Sequence, residues 1–575
     1  MIASPSLGQS ISIKGAEFIL TLIAVAVAFA WPRLGNSWFS AIERTFGKLA
    51  RQRRLAVAAV GLATFLLRLA ILPWRPIPLP FLHDDFSNLL AADTFVHGRV
   101  TNPTPPMWIH FENIHITMQP TYMTMYFPAQ GLVMAAGRLL FGNPWFGVLV
   151  FSALMCSALC WMLQAWLPLR WALLGGVLAM LRLGLFSYWV DTYIGAGLIS
   201  AFAGALVLGA LPRLTKTARF RYGLLMAVGI GILALSRPYE GVLLCLPVAF
   251  VLGRWALSGK NRPSPSILIR RAAVPVLLIG AALACLGYYD YRAFGSPFTL
   301  PYTVDRATYA MAPYYVWQPP RPAVHYRHEE MRKFYYDQEL NTYQRVHSWT
   351  GFIPTVFLKL AITFLFFAGF ALLPPLIMLR RVFLDRRVRF LVLSVLVLAA
   401  GMLIEIYLVP HYLAPFTAAF YAIGLQAMRH LRVWSPEGRP TGLAMVRLIV
   451  ALCIVLAVLR PFARSLGVDI PESPSAGWAN IWYGPDHYGE ERARVAAALE
   501  QLPGKHLVLV RYPNHTEPMD DWVYNESDID ASKIAWAWDM DAAENLELLR
   551  YYKDRSVWLV EPGSQPVPLS QLSAP

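Results

Sequence analysis

The chain has 575 residues, 56% of them hydrophobic and only 15% charged, where an ordinary soluble domain carries about a quarter charged residues. That excludes a single soluble globule, and the composition equally excludes disorder, a collagen-like repeat and a disulfide-stapled secreted fold. The formal net charge of +15 divides into −9 for residues 461–575 and +24 for residues 1–460, and the basic residues lie between apolar segments, a pattern of membrane topology rather than of nucleic-acid binding.

In chain order, the apolar run Phe18 to Trp31 is followed by Arg44, Lys48, Arg51, Arg53 and Arg54 and has no small-residue cleavage site, so it reads as an uncleaved anchor helix. Apolar stretches predict spans at 16–32, 55–74, 144–167, 171–190, 196–211, 222–236, 241–258, 272–289, 352–379, 390–409, 411–428 and 442–460. Five connections, 43–54, 213–221, 254–271, 380–389 and 429–447, hold 23 Lys+Arg and three acids, Glu43, Asp385 and Glu437, which places them inside. Connections 75–127, 191–195, 237–240 and 290–350 then fall outside, as do both termini. The expected fold is a mainly α polytopic helix bundle of about twelve spans with a small C-terminal extracytoplasmic α/β domain. Its parts are an anchor helix and basic loop at 1–54, a transmembrane unit at 55–460 and a soluble unit at 461–575.

The first outer loop opens with Leu82-His83-Asp84-Asp85-Phe86. Two adjacent carboxylates at a membrane boundary raise each other's pKa and demand solvation. The pair suits general-base work on a hydroxyl or cation binding; the competing role is to cap a helix running from Phe86 to Val96. His110-Phe111-Glu112-Asn113-Ile114-His115 offers metal-ligand types, with Glu112 and His115 sharing a face if the segment is helical. At later outer helix ends, Arg237 and Glu240 sit in one tight turn, Asp290 and Arg292 end a span among tyrosines, and His411-Tyr412 opens another. Arg and His at such depth can hold a phosphate at the headgroup level, although interfacial anchoring uses the same residue types. Arg68, Arg182, Lys359 and Glu405 fall inside spans, where an ion needs a partner or a polar cavity.

Beyond Arg460 the pattern becomes that of a soluble α/β unit: a helix at 492–502, strands at 507–510, 533–538 and 557–560, and a helix at 543–552, predicting a small, mainly parallel sheet. It has no G-x-G-x-x-G and no P-loop. Asn514-His515-Thr516 and Asn525-Glu526-Ser527 fit the glycosylation sequon. The five cysteines all fall within expected spans and read as buried thiols.

An acidic pair in the first large outer loop, about a dozen spans, His411-Tyr412 at a late helix end and a soluble tail together resemble the GT-C glycosyltransferases, most of all the branch with the protein O-mannosyltransferases and the aminoarabinose transferase of lipid A. The chain departs from that branch in its extra helix at 16–32, in Asp-Asp where Asp-Glu is frequent, and in its small α/β tail. The resemblance implies an inverting transferase of the inner (plasma) membrane. It would move a sugar from a polyprenyl-phosphate donor to a glycan, lipid or protein acceptor on the extracytoplasmic face, with no nucleic acid involved. Asp84 or Asp85 would be the base. His83, Arg237, Glu240, Arg292, His411 and Tyr412 would bind donor phosphate or substrate, and a divalent metal at Glu112 and His115 is compatible but not required. The rival reading is a transporter of a polar or lipid-linked substrate, using Arg182, Lys359 and Glu405 along a pathway; against it, the sequence has no paired halves.

Overall fold

The computed structural model describes residues 11–259, 261–470, 481–484, 489–513, 521–563 and 566–572. The sequon at Asn514 lies outside them. Seven described helices are long and apolar enough to cross a membrane: Ile13–Ala30, Trp145–Trp166, Gly197–Thr217, Pro238–Ser258, Pro265–Phe294, Trp349–Phe367 and Thr441–Phe462. An eighth is added if Phe370–Leu384 and Arg389–Ile404, bent by 107°, count as one. The chain is an integral membrane protein built mainly of helices.

The twelve expected spans are not all matched, for local reasons. The helix Arg53–Ala70 carries three arginines, and Phe220–Ser236 has only 17 residues. The expected span at 171–190 ends as an α-helix at Ala179 and widens into a π-turn over Met180–Gly184. At 411–428 the chain first forms a 3-10 helix, Pro410–Phe416, because Pro410 and Pro415 leave backbone carbonyls without donors.

The break in 352–379 has a specific cause. Gly369 has φ +61°, and a Cβ there would lie 2.0 Å from an Arg182 guanidinium nitrogen and 2.5 Å from a Glu17 carboxylate oxygen. Both side chains are buried and pair at 3.3 Å, and Glu17 also accepts from the Ala371 N–H at 3.2 Å and the Trp482 indole at 3.1 Å. The bare glycine lets the chain turn over this ion pair, since any side chain would both clash and resist the backbone angle. The anchor helix is thus part of the bundle. Its preceding strand, Ile11–Ser12, pairs in parallel with Val468–Asp469, just beyond the last long apolar helix, Thr441–Phe462.

Of the other intramembrane charges, Arg68 and Lys359 are internally partnered, whereas the buried Glu405 keeps one carboxylate oxygen without a hydrogen-bond partner among the described residues. Arg68 pairs with Asp191 at 2.8 Å, Arg75 shares the same carboxylate, and the Lys359 ammonium donates to the carbonyls of Met402 and Glu405. For Arg68, Arg182 and Lys359 these partners meet the requirement that buried ions be compensated, without invoking a conduction path. Part of the basic connection at 43–54 is a helix, Asn36–Arg51, whose Glu43 binds Arg432 at 3.0 Å and Arg447 at 2.9 Å. Of the cysteines, Cys156, Cys160 and Cys453 are buried as expected, whereas Cys285 is exposed on the outside of its long helix.

The tail forms the expected sheet, in the order Ile534–Trp538, Lys505–Val510, Arg555–Val560, Leu569–Gln571, with the first three strands parallel and the last, unforeseen, antiparallel. Alternation gives the sheet two apolar faces. Val508 and Val510 pack with Val495 and Leu499 of the helix Glu490–Glu500, while Leu507 and Leu509 join a cluster with Phe86, Phe111 and Tyr122 of the first outer loop. The sheet is therefore docked on that loop. Asn525 holds the Trp536 backbone through both ends of its amide, which engages the side chain of the second sequon.

Candidate functional site

The helix His83–Val96 begins with both acids in its first turn. Neighbouring helical residues project about 100° apart, so one acid turns inward and the other toward the loops. Asp85 is fully buried and accepts from the backbone N–H groups of Tyr193 at 2.7 Å, Phe81 at 3.3 Å and Leu82 at 3.4 Å. It caps its helix and ties it to the 191–195 turn. Burial outweighs these three donors and pushes its carboxyl up to about 7.

Asp84 instead lines a cavity of about 290 Å³ with His83, His115, Tyr126, Arg237, His411 and Tyr412. Its Oδ1 accepts from the Tyr126 hydroxyl and lies 2.8 Å from His115 Nδ1, and the same hydroxyl is 2.8 Å from that nitrogen. No described residue donates to Oδ2. Burial alone would raise the carboxyl, but the rings of His83 and His115 and the Tyr126 hydroxyl hold it well below the usual carboxylate range. It is ionised at any physiological pH. His115 has φ +61°, an uncommon angle for a side-chain-bearing residue. That turn directs its ring to Asp84, and burial together with the nearby His83 lowers it to about 4.

His83 completes the cluster. Its Nε2 is 3.7 Å from Asp84 Oδ1, while Nδ1 lies 3.1 Å from Asp521, which also accepts the His83 backbone N–H at 2.8 Å. Asp521 belongs to the tail, so the docked tail fixes the ring and leaves Nε2 facing the cavity. One donor atom from each of His83, Asp84 and His115 lies within 4.8 Å of the others. This mixed imidazole and carboxylate set fits a divalent cation such as zinc or manganese, and the Asp521 contact is the outer-shell support that metal-bound imidazoles commonly have.

The expected pairing of Glu112 with His115 is corrected by this arrangement. Glu112 points away, accepting from Tyr309 at 3.2 Å and pairing with Arg327 at 3.1 Å, because the turn at His115 reverses the chain between them. Arg292 does not join the site either; it lies exposed, donating to Tyr288 at 2.9 Å.

Across the cavity, Gly195 organises the cationic wall. Its φ is +71°, and a Cβ would lie 2.8 Å from three atoms of the His411 ring. The Gly195 carbonyl accepts from Arg237 at 3.1 Å, and the Arg237 guanidinium lies 4.6 Å over the Tyr412 ring. His411 Nδ1 lies 2.8 Å from the Tyr188 hydroxyl. Arg237, Tyr302, Tyr314 and Tyr412 are shared with a second chamber of about 320 Å³, which also receives Glu240, 3.8 Å from Arg237. Tyr126, Gly195, Tyr302 and Asp521 had no sequence signal beyond residue type.

Fold and site together define a polytopic membrane protein with a polar cavity that carries an Asp84–histidine cluster on one wall and an arginine on the other. No protein-family model and no curated protein matches the sequence. Among solved structures, the chain is similar to the oligosaccharyltransferase of Archaeoglobus fulgidus in complex with Zn and sulfate, at 12% identity and a TM-score of 0.45 over 87% of this chain and 67% of that one. It is also similar to ArnT from Cupriavidus metallidurans, at 13% identity and a TM-score of 0.46 in the apo state, and at 12% and 0.44 in the form bound to undecaprenyl phosphate, each over 88% of this chain and 92% of that one.

Proposed function

We propose that the chain is a membrane glycosyltransferase that moves a sugar from a polyprenyl-phosphate donor to a hydroxyl acceptor. The observation that carries the reading is the single cavity in which the ionised Asp84, with one oxygen unengaged by described residues, faces Arg237, His411 and Tyr412. Asp84 takes the proton of the acceptor hydroxyl as its oxygen attacks the anomeric carbon. The bond from that carbon to the phosphate oxygen breaks with its electron pair, leaving a polyprenyl phosphate and an inverted anomeric centre. Arg237 meets the charge that develops on the departing phosphate, in a cavity where such contacts are stronger than in water. Tyr302, Tyr314 and Tyr412 supply ring faces and hydroxyls for the sugar. A second groove of about 280 Å³, lined by Phe364, Phe367, Phe383 and Phe420, offers an apolar seat for an isoprenoid chain.

His83, Asp84 and His115 would hold a divalent metal, which when bound supplies Lewis-acid stabilisation of phosphate oxygens. Asp521 would orient His83 for that role through Nδ1. The deciding assay is turnover of a radiolabelled undecaprenyl-phosphate sugar by the purified chain in nanodiscs, with and without chelator. Release of undecaprenyl phosphate coupled to glycosylation of an added envelope extract is expected; release of neither with any of a set of lipid-linked sugars would sink the proposal.

The loop charges support an extracytoplasmic site in the inner membrane. In a background without native cysteines, a cysteine at the exposed Gln119 should react with an impermeant maleimide in intact cells, and one at the exposed Arg262 should react only after lysis. The reverse pattern would place the cavity on the cytoplasmic face.

A further inference from the structure

The wall that separates Asp84 from the loop surface has a second lined face. The segment around His115 carries that ring into the catalytic cavity, and on either side of it Glu112 and Thr117 line a groove of about 690 Å³. The helix Pro301–Tyr309 does the same, with Tyr302 in the cavity and Thr308 and Tyr309 in the groove. The volume falls within the range of small-molecule sites. Its lining is mainly aromatic and hydrogen-bonding, with Met118, Pro120 and Val324 as its aliphatic members. Arg327 is held with its guanidinium 5.0 Å over the Trp108 ring and 3.1 Å from Glu112, so it presents a fixed planar set of donors.

Thr117 supplies the independent sign of a ligand. The residue is 1% exposed, it lines the groove, and its hydroxyl has no hydrogen-bond partner among the described residues. A buried hydroxyl left unpaired costs about 1–3 kcal/mol, and native structures seldom leave one so. We propose that this groove binds a saccharide, the glycan portion of the acceptor, with Trp108 against a sugar ring face and Thr117, Glu112 and Arg327 on its hydroxyls. A sugar has both an apolar C–H face and a dense set of hydroxyls, and this lining matches both. A peptide would call for aliphatic anchor pockets, and only Met118, Pro120 and Val324 of the twelve lining residues are aliphatic. The inference rests on the glycosyltransferase reading for the word acceptor, and on the groove alone for the word saccharide.

The test is direct binding, separate from turnover. The detergent-solubilised full chain is applied to an array of short oligosaccharides, the same sugars as glycolipids, and short peptides. Saccharide binding is expected, and preference for the free or the lipid-borne form tells whether the natural glycan is a chain or a headgroup. Thr117→Val keeps the shape of the side chain and should weaken that binding roughly three- to tenfold, the worth of one hydrogen bond. Trp108→Ala should weaken it further, and neither should change donor-lipid binding. Failure to bind any sugar, binding of peptides instead, or unchanged affinity in Thr117→Val with its thermal stability intact would each overturn the proposal. A chain that binds sugars but transfers none would overturn the transferase reading and leave the groove standing.

Discussion

Asp84→Asn is expected to lower sugar transfer by about 10²–10⁴-fold, the usual worth of a general base, with the protein still folded. The amide can keep an oxygen toward Tyr126, but it cannot take a proton or help hold a cation. Asp85→Asn should behave oppositely. Asn has one acceptor oxygen where Asp85 uses both for three backbone N–H groups, so at least one buried donor loses its partner, at about 1–3 kcal/mol of stability. The pH dependence separates the two further. Asp85 is raised in the folded chain from 3.8 to about 7, so its contribution is full below pH 3.8 and is lost as pH rises through about 7. Asp84 is lowered, so its contribution is present at neutral pH and is lost only on acidification below the ordinary carboxylate range. Thermal melts across pH of both variants, beside turnover of the folded fraction, check this. Full activity in Asp84→Asn would remove it as the base.

The division of labour between these acids shows what the sequence could and could not carry. Hydropathy picked out the long apolar helices because it depends only on local composition, while loop charge gives a sidedness that stays an expectation until the labelling experiment is done. The acid pair was visible as a pair, and adjacency in a helix already implies that only one member faces a given cavity, but not which. Of the ligand types in the run His110 to His115, only His115 reaches Asp84, because its backbone takes a left-handed turn that the helical face shared with Glu112 does not contain. The break at Gly369 was hidden because a glycine in an apolar run leaves its hydropathy almost unchanged; the cause is an ion pair between Glu17 and Arg182 in distant segments. Asp521 lies 438 residues from His83, and no local pattern could connect them before the tail was seen to dock.

Arg237→Ala should reduce binding of the undecaprenyl-phosphate donor by roughly ten- to a hundredfold, the range for one charge-assisted hydrogen bond to an ionised group. Arg237→Lys should restore little of it. The guanidinium is placed by three contacts at once, its donation to the Gly195 carbonyl, its position over Tyr412 and its approach to Glu240, and a single ammonium cannot reproduce a planar fork that serves all three. The alanine variant alone is ambiguous, since it strands the buried Glu240 carboxylate and could lower affinity by loosening the turn. Arg237→Ala combined with Glu240→Gln removes that complication. If Arg237 only balances Glu240, the double variant should regain both thermal stability and donor affinity. If Arg237 meets the donor phosphate, stability should return while affinity stays low. His411→Ala, measured alongside, should weaken binding less, because its Nδ1 is already engaged with the Tyr188 hydroxyl and only Nε2 is left for the phosphate.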